Sequence, residues 1–447
     1  MRRLEYQFRF ALEQTNHTKS SHPPAIAHDL NALLESAETT WLDTVCLFKT
    51  AHSGETGRKR KQNKGLNAME SVRLLAPTAD FGFDLLRKEV ASHHDENVFV
   101  SPTSISIALG MTLNGAVGTT ATGIAEALKI SALGNAANLA YANLISALKD
   151  KSLGVTLSIA NAIWAKEGLS FRDQFLNANK QYFKAAVNLA NFSDPATVEA
   201  MNRWVNDETN GKIPTIMESI ADDMIMFLLN VVYFKGEWTT KFEKEFTELQ
   251  DFHAPTGSRQ HALMFRSDEL RYTRDDTAQI VALPFGDAAK RVSLFVLLPS
   301  EGKTVTDVVN GLSADKFFGY FRRLRETDVN LHLPKFEVEY DVNLNDTLKA
   351  LGMDEAFDGG RADFTGLLPR ANGNVYISEV KHKTYARFDE EGAEAAAVTS
   401  VGLALESCVI STPVDFRVDR PFVAIIADEN TGAVLFAGAI NDPKEAK

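Results

Sequence analysis

The apolar positions first recur at helical spacing and later at strand spacing. Over Thr78–Val90, Phe81, Leu85, Leu86 and Val90 share one helical face. Asn97–Val100 reads as a short strand, and Ser101-Pro102 opens a helix through Ile105, Ala108, Leu109 and Met111. Gly115 and Gly118 interrupt it; Thr119 or Thr120 caps a helix through Leu128, and Ala136–Leu148 is another. Thr156–Ala165 is strand-like, with Leu157, Ile159 and Ile163 on one face interrupted by Asn161, and Ala160, Ala162 and Trp164 on the other. Phe171–Phe183 is helical and Ala186–Phe192 a strand. Asp194-Pro195 then starts a helix that stops near Asn210-Gly211.

Strands crowd the second half. Met224–Phe234 is apolar almost throughout, as expected of a strand buried on both faces. Ile280–Leu283, Val292–Leu298, Val329–Tyr340 and Val375–Phe388 are further strands. Val305–Tyr320 is helical with a break near Ser313, and Leu344–Leu351 is a helix closed by Gly352. Phe422–Ile426 and Val434–Ala439 flank the hairpin signal Glu429-Asn430-Thr431-Gly432. Strands and helices do not alternate regularly, so the fold class is α+β rather than doubly wound.

One stretch fits two conformations. In Glu390-Glu391-Gly392-Ala393-Glu394-Ala395-Ala396-Ala397-Val398-Thr399-Ser400, the Glu-Ala-Ala-Ala run is a good helix former. At period two, Ala393, Ala395, Ala397 and Thr399 form a small uncharged face that can lie on a core without desolvating a charge. Glu394, Ala396, Val398 and Ser400 form the other face.

Composition narrows the function classes. The chain has 447 residues, 45% hydrophobic and 24% charged, and is globular. A net charge of −12 argues against a dedicated nucleic-acid binder. No apolar run reaches transmembrane length, so no membrane partner is expected. Cys46 and Cys408 make neither a disulfide framework nor a metal-ligand spacing. His93-His94-Asp95-Glu96 is read as a solvated loop, because adjacent residues point apart, and no metal site is assigned. Elbow, phosphate-loop, dinucleotide and zinc-protease motifs are absent, so no catalytic residue, cofactor or enzyme activity is expected. Sequons occur at Asn16, Asn191 and Asn345.

Residues 1–75 read as a poorly ordered extension, with Met69 as an alternative start; the basic run Arg58-Lys59-Arg60-Lys61-Gln62-Asn63-Lys64 reads as a solvated linker in preference to a localisation signal or an anionic-surface patch. No apolar leader with a cleavage site is visible.

From residue 76 on, six stretches in order resemble the serpin family. They are Asn97-Val98-Phe99-Val100-Ser101-Pro102-Thr103-Ser104-Ile105-Ser106, then Trp204-Val205-Asn206 with Thr209-Asn210-Gly211-Lys212-Ile213. Next come Asn230-Val231-Val232-Tyr233-Phe234-Lys235-Gly236-Glu237-Trp238, Leu333-Pro334-Lys335-Phe336 and the Glu390–Ala397 stretch. The last runs from Asp419-Arg420-Pro421-Phe422-Val423 through Leu435-Phe436-Ala437-Gly438 to Asn441-Asp442-Pro443.

The resemblance implies a serpin domain over 76–447, with three β-sheets, eight or nine α-helices and an exposed reactive-centre loop at about 390–413. It implies an irreversible, suicide-substrate inhibitor of a serine-type endopeptidase. The protease cleaves the loop, forms an acyl-enzyme and is trapped covalently as the loop enters the main sheet. The rival readings are a non-inhibitory binding or chaperone protein on the same scaffold and a cross-class inhibitor of a cysteine protease.

By the same resemblance, Glu391, Gly392, Ala393, Glu394, Ala395, Ala396, Ala397, Val398 and Thr399 are the hinge. Ser101, Ser104, Asn230 and His382 are the polar cluster beneath the opening sheet; Trp238 is the aromatic at the entrance, and Lys335 and Glu390 a charge pair at the loop base. Fourteen residues on from Gly392, the family's usual spacing, lies the expected reactive bond, Glu406-Ser407, with Leu405 and Cys408 as neighbouring alternatives. The Ala136–Lys151 region carries basic residues only at its end, so no heparin-type cofactor is expected, and the protein is expected to be a monomer. Family resemblance implies the extracellular space, whereas the lack of a leader implies the cytoplasm.

Overall fold

The computed structural model describes residues 58–150, 153–221, 224–286, 291–369, 375–393 and 412–444. Of the unit Met1–Gly65, only the opening turns of the first helix are described; the sheets and cores belong to the unit Leu66–Lys447. The described residues form nine α-helices and fifteen strands.

The helices are α1 (Arg58–Ser92), α2 (Pro102–Leu113), α3 (Gly118–Ala127), α4 (Ala137–Leu148), α5 (Asp173–Ala178), α6 (Pro195–Glu208), α7 (Val305–Gly311), α8 (Ala314–Arg323) and α9 (Asn345–Leu348). Helix α1 starts twenty residues before the expected Thr78, so the basic run Arg58–Lys64 is helical rather than a linker. Lys and Arg are good helix formers, so a run of them does not end a helix. The Asp194 carboxylate accepts from the Ala196 N–H to cap α6. Helix α2 is buried over Pro102–Thr112, enclosed on all sides.

The strands form two hydrogen-bonded networks among the described residues, where the family resemblance implies three separate sheets. The six-stranded one runs β10 (Phe336–Asn343), β11 (Glu379–Phe388), β4 (Met226–Glu237), β2 (Thr156–Lys166), β3 (Ala186–Ala190), with β12 (Gly392–Ala393) also on β4. The other joins β1 (Val98–Val100), β15 (Ala433–Ile440), β14 (Phe422–Asp428), β8 (Val292–Pro299), β7 (Ala278–Phe285), β6 (Gly257–Arg274), β9 (Arg325–Pro334) and β13 (Val414–Arg417), with β5 (Glu248–Ala254) on β6. Strand β6 is eighteen residues long. Its first half pairs with β5 and its last four residues with β7, so two sheet regions become one network.

Two sequence expectations need correction. Strand β6 and its partner β5 were not foreseen, because polar residues break every apolar alternation along them. The single strand expected over Val329–Tyr340 is two strands in different networks. The buried positions are odd-numbered through Val329, Leu331 and Leu333, then even-numbered from Phe336 through Val338 and Tyr340. The phase flips at Pro334-Lys335, where the chain leaves one sheet for the other.

Strand β4 separates two cores. Met226, Leu228, Val232 and Phe234 face the main core, and Phe227, Leu229 and Val231 face a smaller one beneath α6. The segment after α6 lies on this second face: Ile213, Ile216 and Met217 join the smaller core. The Lys383 ammonium of β11 donates to the Thr215 carbonyl at 3.3 Å and pairs with Glu339 at 2.9 Å and Asp341 at 3.2 Å.

Phe234 is fully buried, edge-on to Phe285 at 5.1 Å and Phe436 at 5.9 Å. Phe234→Ala should therefore cost about 3–5 kcal/mol, read as a lowered midpoint of urea unfolding.

Candidate functional site

The six-stranded sheet contains a parallel pair at its centre. Strand β11 runs parallel to β4, from Glu379 opposite Phe227 to Tyr385 opposite Tyr233. Each is antiparallel to its other neighbour, β10 and β2 respectively. At the end of β11 the chain reverses through Asp389–Gly392 and returns along β4, with Gly392 opposite Glu237 and Ala393 opposite Gly236. Gly392 also bridges Asp389 on the β11 side. Gly392 and Ala393 thus sit between the ends of the two parallel strands, and Ala393 is fully buried. Any strand continuing this direction between them would be antiparallel to both.

The reversal is fastened from several sides. Glu390 meets the Lys335 ammonium at 3.1 Å and accepts from the Thr247 hydroxyl at 3.0 Å. Burial pushes the Glu390 carboxyl up, but its own backbone N–H, Lys335 and Thr247 outweigh burial and hold it below the usual carboxylate range. Lys241 pairs with Glu391 at 2.7 Å, and Arg387 with Asp389 at 3.3 Å. The Trp238 indole N–H donates to the Asp389 carbonyl at 2.8 Å, while its ring stacks on Phe285 at 4.4 Å. Gly392 has φ +139°, and a Cβ there would lie 2.3 Å from the Gly236 oxygen and 2.6 Å from Glu237 Cα. Only glycine passes this point without displacing backbone.

Deeper in the seam, one polar row crosses three strands. Asn161, Asn230 and His382 are register partners on β2, β4 and β11. The Ser101 backbone N–H donates to His382 Nε2 at 3.1 Å, so the imidazole proton sits on Nδ1 and is donated to Asn230 Oδ1 at 2.5 Å. The Asn230 amide donates in turn to Ser104 Oγ and Asn161 Oδ1. Ser101 Oγ donates to the Leu435 carbonyl at 2.6 Å, and Thr384 Oγ1 to the Phe99 carbonyl at 2.6 Å. The row ties both parallel strands to the start of α2 and to the β15 side of the core. Burial lowers the His382 pKa to about 3, so the ring is neutral.

Of the residues singled out by sequence, Ser101, Ser104, Asn230 and His382 come together in this row. Trp238, Lys335 and Glu390 come together with Glu391, Gly392 and Ala393 at the reversal. Glu394, Ala395, Ala396, Ala397, Val398 and Thr399 lie outside the described residues, as do Leu405, Glu406, Ser407 and Cys408. Asn161, Thr247, Lys241 and Thr384 were not singled out. For Asn161 the signal was present: a polar residue interrupts an otherwise apolar strand face.

Comparison with known proteins assigns the class. The family model described as serpin (serine protease inhibitor) matches residues 76–443. An uncharacterised serpin-like protein of Thermococcus kodakarensis is 34% identical, the match covering 82% of this chain and 84% of the relative. A leukocyte elastase inhibitor of Xenopus tropicalis is 31% identical, over 81% and 97%. The native-state structure of the thermophilic serpin tengpin superposes with a TM-score of 0.76 at 33% identity, over 82% and 94%. Human thyroxine-binding globulin does so with a TM-score of 0.76 at 27% identity, over 84% and 100%. The chain belongs to the serpin family, and its fold is the serpin fold.

The neutral His382 makes stability depend on pH. Its pKa is about 3 when folded, against 6.5 for a free imidazole, so between these values the unfolded chain binds more protons. Its contribution is complete above about pH 6.5 and is lost as pH falls toward about 3. Urea midpoints measured across that window should fall, and His382→Asn should remove this part of the dependence while lowering stability at neutral pH.

Proposed function

We propose that the chain inhibits a serine-type endopeptidase as a suicide substrate, through its 390–413 loop. The observation that carries this reading is the pairing of Gly392 and Ala393 as the first residues of an antiparallel strand between β4 and β11. Continued in the same register, that pairing sets Ala395 opposite Phe234, Ala397 opposite Val232 and Thr399 opposite Asn230. These partners face the main core, where only small uncharged side chains enter without desolvation cost. Glu394 falls opposite Lys235 and Val398 opposite Val231, on the other face. The small face visible in the sequence is thus the face that would enter the core.

The chemistry begins at the loop. The protease serine Oγ adds to the Glu406 carbonyl, the Ser407 amine leaves with a proton, and an ester joins protease to inhibitor. The freed segment from Glu394 then slides between β4 and β11. Doing so parts their ladder and breaks the His382–Asn230 hydrogen bond. The row and the clamped reversal hold the seam closed until cleavage releases the loop. The inhibitory unit in this reading is 76–447, acting as a monomer without a polyanion cofactor. The acidic residue at Glu406 points to a protease that prefers acidic side chains.

The second reading is a binding protein that never completes insertion, favoured by the close superposition on thyroxine-binding globulin.

A panel of glutamyl-, chymotrypsin-, subtilisin-, trypsin- and papain-like proteases separates the readings. A complex that survives denaturation at the summed mass less the released fragment, which begins at Ser407, is expected with a glutamyl-preferring serine enzyme. A complex with the papain-like enzyme alone would move the target to the cysteine class. Cleavage without a complex, and without a rise in unfolding temperature afterwards, would overturn inhibition. In a chain that inhibits, Ala397→Arg should leave cleavage intact and abolish the complex, because a guanidinium would have to enter the core beside Val232.

A further inference from the structure

Strand β3 ends the six-stranded sheet and pairs only with β2 among the described residues. The Ala190 carbonyl faces β2, where it accepts from the Glu167 N–H at 2.8 Å. Peptide groups alternate sides along a strand, so Val187 and Leu189 turn theirs to the open edge.

That edge is unguarded. Strands β5, β10 and β13 also have a single strand neighbour, and each carries charge: Glu248 and Asp251 on β5, Glu339 and Asp341 on β10, Asp415 and Arg417 on β13. Charges along an edge deter pairing with another chain. Ala186-Val187-Asn188-Leu189-Ala190 has no charge and no proline. Leu189 is also 50% exposed, unusual for a large apolar side chain of this protein. The two ends of the strand are charged, with opposite sign. Lys184 precedes it, and Glu167, which follows β2, lies beside its far end. Both are exposed, and neither forms an ion pair among the described residues.

We propose that β3 pairs edge to edge with β3 of a second copy of this chain, antiparallel about a two-fold axis at Asn188. Val187 of each copy then lies opposite Leu189 of the other, and their outward N–H and C=O groups exchange hydrogen bonds. Leu189 gains an apolar cross-strand neighbour. Lys184 of each copy meets the Glu167 end of the other, a charge match that in-register parallel pairing would replace with like charges. The two-fold repeats each contact, so one surface serves both copies. An edge of five residues is too short for the roughly 1,200 Å² that a stable interface buries, so the dimer is reversible and forms at high concentration. The pairing uses no residue of the seam or of the 390–413 loop, so its test stands apart from the inhibition assay.

The test is sedimentation equilibrium of the full chain from micromolar to near-millimolar concentration, with amide hydrogen exchange read at both extremes. A monomer–dimer equilibrium is expected, with exchange at Val187 and Leu189 slowed in the concentrated sample. Lys184→Glu should weaken association at least roughly tenfold, because it sets like charges face to face. Lys184→Glu/Glu167→Lys should restore it. Leu189→Lys, an exposed change, should abolish the dimer and leave the unfolding midpoint unchanged. A single monomeric mass at every concentration would overturn the proposal. So would a dimer without protection at Val187 and Leu189, or one that Lys184→Glu leaves intact.

Discussion

The structure depends on how β4 and β11 are held side by side. Two strands that run parallel at the centre of a sheet can accept one strand of opposite direction between them, and antiparallel pairing is slightly the more stable per residue. The parallel arrangement is therefore open to improvement, and must be fastened by something other than its ladder. Here the fastening is side-chain chemistry: a neutral histidine, two asparagines and two serines in one row, buried except at the half-buried Asn161. A buried polar group left without its partner costs more than the bond itself contributes. Opening the row by one strand width leaves several such groups exposed to the core at once, so the barrier is steep and local.

Sequence and structure agree where local pattern and burial agree. Strand β4 was legible because it is apolar on both faces, and the 429–432 hairpin because its turn residues are specific. The polar row was legible only through family resemblance: its members are scattered from Ser101 to His382, and no periodicity relates them. Asn161 shows the limit well. Its place in an apolar face could be seen, but its partner across the strand pair could not, because register is a tertiary property. Strands β5 and β6 escaped because a long strand that changes partners alters which face is buried along its length. Helix α1 escaped at its start because a basic run is compatible with both linker and helix.

The charges around the reversal divide into two kinds. Glu390 and Lys335 are largely out of solvent, and removing either partner would leave the other uncompensated. Lys244 and Glu391, at 3.6 Å with the lysine mostly exposed, belong to the weak class of surface pairs. The reversal is thus anchored from its buried side, at the Pro334-Lys335 corner where β9 gives way to β10. That corner joins the two strand networks, so a pull on the loop base reaches both sheets.

The segment after α6 spans the seam on the outer face, held to β11 through Lys383 and Thr215 and to β4 through the smaller core. Widening the sheet moves its two anchor points apart. Where the proposed ester forms, this segment acts as a clock: its release competes with hydrolysis, and whichever finishes first decides the encounter.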